Sequence, residues 1–155
     1  MEEQMTDRCA RIPALVGALV LLLAGAGTAA PKGSIFITDH PIDTTSATFE
    51  KDLKKAAVTT LNLKPDGWTL HFVAYLKRAA GSPELNIVFY EAGGAHEQVN
   101  AFPIATSAKA EVLSSNIAVT TEQGFKVGNK YDVRITRLIG GKEEVYARTT
   151  LTLAK

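Results

Sequence analysis

From Trp68 to Leu76 apolar and polar side chains alternate. Trp68, Leu70, Phe72, Ala74 and Leu76 fall on one side, and Thr69, His71, Val73 and Tyr75 on the other. This is the period of a pleated strand with one face in a core. Leu85, Ile87 and Phe89 repeat the pattern, as do Leu113, Ile117 and Val119, then Tyr131, Val133 and Ile135, and last Val145, Ala147, Leu151 and Leu153. Turn formers separate these runs: Pro65-Asp66-Gly67, Gly81-Ser82-Pro83, Gly93-Gly94 and Gly140-Gly141. Proline presets φ for a turn and glycine accepts positive φ, so each cluster is a place where the chain reverses. Short strands at such intervals predict an all-β antiparallel sandwich of about seven to eight strands.

One segment breaks the period. In Ser46–Ala57, Phe49, Leu53 and Ala57 recur at i, i+4 and i+8, and Glu50 and Lys54 form a favourable i, i+4 pair. A short helix over residues 46–57, packed on an edge of the sheet, is expected. Val58–Leu63 returns to strand-like residues, with no sheet assigned to it from sequence.

The first 29 residues differ in kind from the rest. Ile12–Ala26 holds no charge, follows Arg8 and Arg11, and precedes the small residues from Gly25 to Ala30. A basic start, an apolar run and small residues at a cut site describe a secretory signal peptide, with the cut expected between Ala29 and Ala30. The competing reading is an uncleaved anchor that tethers the domain to a membrane. Residues 30–155 form the single folded domain in either case, exported and periplasmic or secreted. The only cysteine, Cys9, lies in the leader, so no disulfide framework is expected despite export.

The 155-residue chain has 17 Lys and Arg against 16 Asp and Glu, a formal charge of +1. The leader holds two of those bases and three of the acids, so its removal leaves +2. A balance this even gives no field suited to nucleic acid, and no nucleic-acid partner is expected.

Phe125-Lys126-Val127-Gly128-Asn129-Lys130-Tyr131-Asp132-Val133-Arg134-Ile135 resembles the E–F corner of immunoglobulin-like and fibronectin type III sandwiches. The resemblance implies that Phe125 closes one strand, Gly128 turns the chain, and Tyr131 opens the next strand with its hydroxyl tied to upstream backbone. Gly140-Gly141 and Glu144–Leu153 would complete the final hairpin. The chain is also similar to small exported bacterial proteins that share such terminal strands. Neither likeness implies an activity, since sandwiches host many roles.

Candidate chemistry is sparse. His40, His71 and His96 lack the i, i+2 or i, i+4 spacing that places two imidazoles on one face. A metal-binding protein or hydrolase using His71 and His96 would need them to converge in space. Asp39 and Asp43 are too few for a calcium loop, and no Gly-x-Ser-x-Gly elbow or phosphate-binding loop is present. No catalytic residue, metal ligand or cofactor is expected. Tyr75 and Tyr90, with His71, fall on the polar sides of their strands, as does Tyr146, and supply a possible binding face. The expectation is a non-enzymatic binding or interaction module whose partner is a protein or glycan. A membrane enters only if the leader is retained.

Overall fold

The computed structural model describes residues 30–155. The leader and the Ala29–Ala30 cut fall on or against residues outside this range. The elements run β1 (Ser34–Thr38), α1 (Phe49–Ala56), β2 (Thr60–Asn62), β3 (Trp68–Tyr75), β4 (Glu84–Glu91), β5 (Gln98–Ala105), β6 (Val112–Val119), β7 (Lys130–Ile139) and β8 (Lys142–Ala154). A 3-10 turn, Thr121–Gln123, follows β6. Among the described residues the fold is therefore all-β with one helix.

The strand order is β5-β4-β7-β8-β1-β3-β6, with β2 added to β8. The strands form one mixed sheet that curls into a nearly closed barrel, which corrects the expectation of a purely antiparallel sandwich. Two pairings are parallel: Ser34 of β1 faces Arg148, and Thr60–Asn62 of β2 face Thr152–Ala154. The physical reason lies in the excursion between β1 and β2. The chain leaves the sheet after Thr38, forms α1, and rejoins where the Val58 N–H donates to the Ile37 carbonyl at 2.8 Å. One strand edge of β8 is thus filled twice from the same direction.

Helix α1 carries Glu50 and Asp52 in its first turn and Lys54 and Lys55 in its last, which suits the helix dipole. It packs on β1 and buries Leu53 to 1% exposure, while Phe49 and Ala57 are half-buried. The expected helix is present within 46–57.

The inward positions of β3, β4, β7 and β8 build the core around Trp68, Phe72, Phe89, Tyr131 and Leu151. Tyr146 departs from the simple alternation. Ile135 pairs with Ala147 and Thr136 with Val145, so Tyr146 is the extra residue of a bulge. A bulge turns successive side chains to the same side. Tyr146 is consequently 2% exposed beside buried Ala147, not outward as its parity predicts. The Arg78 guanidinium caps its ring at 4.9 Å.

At the corner, the Lys126 N–H donates to the Tyr131 hydroxyl at 2.7 Å, the upstream tie that the resemblance implies. Phe125 differs from expectation: β6 ends at Val119, and Phe125 is plugged into the core from the connection that follows the 3-10 turn. Burial holds the Tyr131 phenol above its ordinary value of 10.0, with the Lys126 bond acting against the shift. Burial raises Tyr75 and Tyr90 as well. The folded state therefore keeps these protons longer than the unfolded chain. Their contribution is complete below pH 10 and is lost as pH rises through the folded values. Melting temperature is expected to fall above about pH 10. Tyr131→Phe should flatten that decline and cost about 1–2 kcal/mol near neutrality, because the Lys126 N–H loses its acceptor. Thermal unfolding followed across this pH range in both proteins checks the pair of effects.

Candidate functional site

The outer side of β4, β7 and β8 carries the densest polar network. Val88 of β4 stands opposite Arg134 of β7, and Arg134 stands opposite Arg148 of β8, so the pairing register sets these side chains in a row. Asp132, one pleat along β7, is 3% exposed. Its Oδ2 accepts from Arg134 Nε at 2.9 Å and Nη2 at 2.6 Å, and lies 3.6 Å from Arg148 Nη2. Its Oδ1 is buried and has no protein donor. A buried acceptor without a partner is costly, so this carboxylate is held in place by the two arginines on its other oxygen.

Arg134 also lies over the Tyr90 ring, with its guanidinium carbon 4.5 Å from the centroid. The Tyr90 hydroxyl donates to Glu143 Oε2 at 3.0 Å, and Arg134 Nη1 approaches the same oxygen at 3.7 Å. Burial works against the Arg134 charge. Asp132, then Glu143 and Tyr90, outweigh burial and hold the guanidinium above its ordinary pKa. Burial and the Glu143 bond likewise raise the Tyr90 phenol. Tyr90 is thereby fixed on one ring face and at its hydroxyl, which is preorganisation rather than free display.

Beside this network a groove of about 210 Å³ crosses β5, β4 and β7. Asn86, Tyr90, Gln98, Thr136 and Glu143 give it hydrogen-bonding groups, and Val88 and Leu138 give it apolar surface. Amides, a carboxylate and a phenol around a shallow apolar strip can bind a polar, non-charged ligand. Within the groove the Tyr90 phenol is already hydrogen-bonded to the Glu143 carboxylate.

The other sequence candidates do not join this site. Tyr75 lies on β3, and β7, β8 and β1 intervene between β4 and β3 in the sheet order, so Tyr75 and Tyr90 do not form one platform. Tyr75 packs edge-on against Phe36 at 6.0 Å, and its hydroxyl is buried without a partner. His71 faces a separate pocket of about 200 Å³ with Thr38, Ile42, Ser114 and Asn116. His96 sits in the turn between β4 and β5 with φ of 51°. Among the described residues no three His, Cys, Asp or Glu side chains gather as metal ligands. Among those residues, too, no helix is long and apolar enough to cross a membrane.

Sequence reasoning missed Asp132, Arg134 and Glu143. The alternation of β7 placed Asp132 and Arg134 on the outer side, but nothing in it marked an outward aspartate as buried. Arg134 and Arg148 both reach its Oδ2. No protein-family model matches this chain, and no curated protein matches it either.

Proposed function

We propose that this protein is an exported, non-enzymatic binding module, and that it recognises a glycan in the groove between β5, β4 and β7. The preorganised Tyr90, held between Arg134 and Glu143 at the groove's border, is the observation that carries this reading. Saccharides present hydroxyls in fixed pairs and apolar C–H faces, which Asn86, Gln98 and Glu143 on one hand and Val88 and Leu138 on the other complement. The architecture is read as immunoglobulin-like. Two features support that reading: the Tyr131 tie and the two-glycine hairpin between β7 and β8.

Binding of the protein to an array of bacterial envelope glycans tests the proposal. Wild-type protein should retain a defined set of glycans, and Tyr90→Ser should lose at least about tenfold in affinity for them. Tyr75→Ser should bind as wild type. An unchanged profile for Tyr90→Ser would sink the groove reading.

A second reading, recognition of a protein strand, is favoured by the sheet edges. β5 contains Pro103, which lacks the N–H that an added strand would need. β6 has eight residues and no proline, and among the described residues it pairs on one side only, with β3. A strand partner would protect the β6 amides from exchange and leave the Tyr90 groove unchanged.

A further inference from the structure

We propose that the end of the barrel carrying the β7–β8 hairpin is a docking surface for an anionic phospholipid bilayer. Leu138 is 69% exposed and its neighbour Ile139 is 42% exposed. Both stand at a tight two-residue turn, Gly140-Gly141, whose positive φ angles of 57° and 77° glycine adopts without strain. A stiff hairpin is therefore presenting two large apolar side chains to solvent, where they contribute nothing to the core. Isolated exposed leucines are ordinary, but an adjacent pair at a projecting tip is apolar surface placed for a partner.

Charge specifies the partner. The strand register puts the loops at residues 76–83, 105–111 and 138–142 at this end: Glu84 faces Ala105, Asn86 faces Thr136, and the Gly81 N–H donates to the Ala108 carbonyl. These loops, the strand residues that flank them and the entry to β1 hold Lys32, Lys77, Arg78, Lys109, Arg137 and Lys142 against Glu84, Glu111, Glu143 and Glu144, with Lys32 paired to Glu111 and Arg78 to Glu144. The opposite end holds Asp39, Asp43, Asp66, Glu91, Glu97 and Glu122 against Lys64, Lys126, Lys130 and Lys155. A near-neutral chain is thus polarised, with the surplus of bases around the apolar tip. Exposed apolar side chains at the end where bases outnumber acids match an anionic headgroup layer over hydrocarbon.

The path of the chain agrees. β1 runs parallel to β8, which starts at this end, so the polypeptide enters the barrel from the same side. The uncharged run Ile12–Ala26 precedes that entry by a few residues of sequence. Leu138 also lines the groove, so the two surfaces share that residue, whereas Ile139 belongs to the tip alone.

The test uses the full chain, with Cys9→Ser removing its single thiol and Leu138→Cys carrying an environment-sensitive fluorophore. The same label at Val127, 44% exposed at the opposite end, is the comparison. With phosphatidylcholine vesicles containing phosphatidylglycerol, the Leu138 label should brighten and shift to the blue, and the Val127 label should stay water-like. Roughly 0.5 M salt should reverse much of the change, and Ile139→Asp should lower the inserted fraction about tenfold. A water-like label at 138 with these vesicles overturns the proposal. So does an equal response at 127, or an equal response with phosphatidylcholine alone. A chain held only through its N-terminal run gives the first of those results.

Discussion

Trp68→Ala is expected to lower stability by about 3–5 kcal/mol, a large share of what a domain of this size possesses. Trp68 is 1% exposed and starts β3 opposite Val119, the last residue of β6. Its indole N–H donates to the Ala154 carbonyl at 2.9 Å, at the last residue of β8. One side chain therefore fixes the ends of three strands at one mouth of the barrel. The preceding Gly67 allows this approach: its φ is 103°, and a Cβ there would lie 2.5 Å from the Val119 carbonyl oxygen. Removing the indole empties a large volume and leaves the Ala154 carbonyl with only the Leu63 N–H, at 3.2 Å. Trp68→Phe should restore about half of the loss by refilling the space without the hydrogen bond. Urea unfolding followed by far-UV circular dichroism measures both variants, since the chain has no other tryptophan to report by fluorescence.

Phe125→Ala is expected to cost a similar amount, about 3–5 kcal/mol. Phe125 is 1% exposed and meets Phe89 edge-to-face at 5.1 Å and Tyr131 at 5.4 Å. It joins β4 to the corner that leads into β7, although it belongs to no strand itself. Its loss would also slacken the Tyr131 ring whose hydroxyl receives the Lys126 N–H. The double variant Phe125→Ala/Tyr131→Phe should then lose less than the sum of the single changes. Additive losses, measured in the same urea titrations, would show that the two rings are energetically independent.

Strand positions were legible in the sequence because a half-buried strand must alternate. Trp68, Leu85 and Tyr131 each sit where the period of two places an inward residue. The helix was legible for the same reason, since Phe49, Leu53 and Ala57 repeat at a different period. Closure of the sheet was not legible. It depends on β1 and β2 both reaching β8 in the parallel sense, and pairing partners leave no local trace in composition. Tyr146 was misplaced because a bulge shifts parity by one residue without any glycine or proline to announce it. The outward direction of Tyr90 was legible from parity, whereas its clamp by Arg134 and Glu143 was not. That clamp is made by three strands adjoining in space, with Glu143 coming from β8.

The central claim is that ligand recognition resides in the groove bordered by Tyr90. Backbone amide chemical shifts of ¹⁵N-labelled protein, recorded while envelope glycan fractions are added, test it most directly. The account predicts that a binding fraction moves the amides of Asn86, Val88, Tyr90, Gln98 and Thr136, and leaves those around Tyr75 and His71 in place. Shifts confined to β3 and β6, with the groove amides unmoved by any fraction, would contradict it.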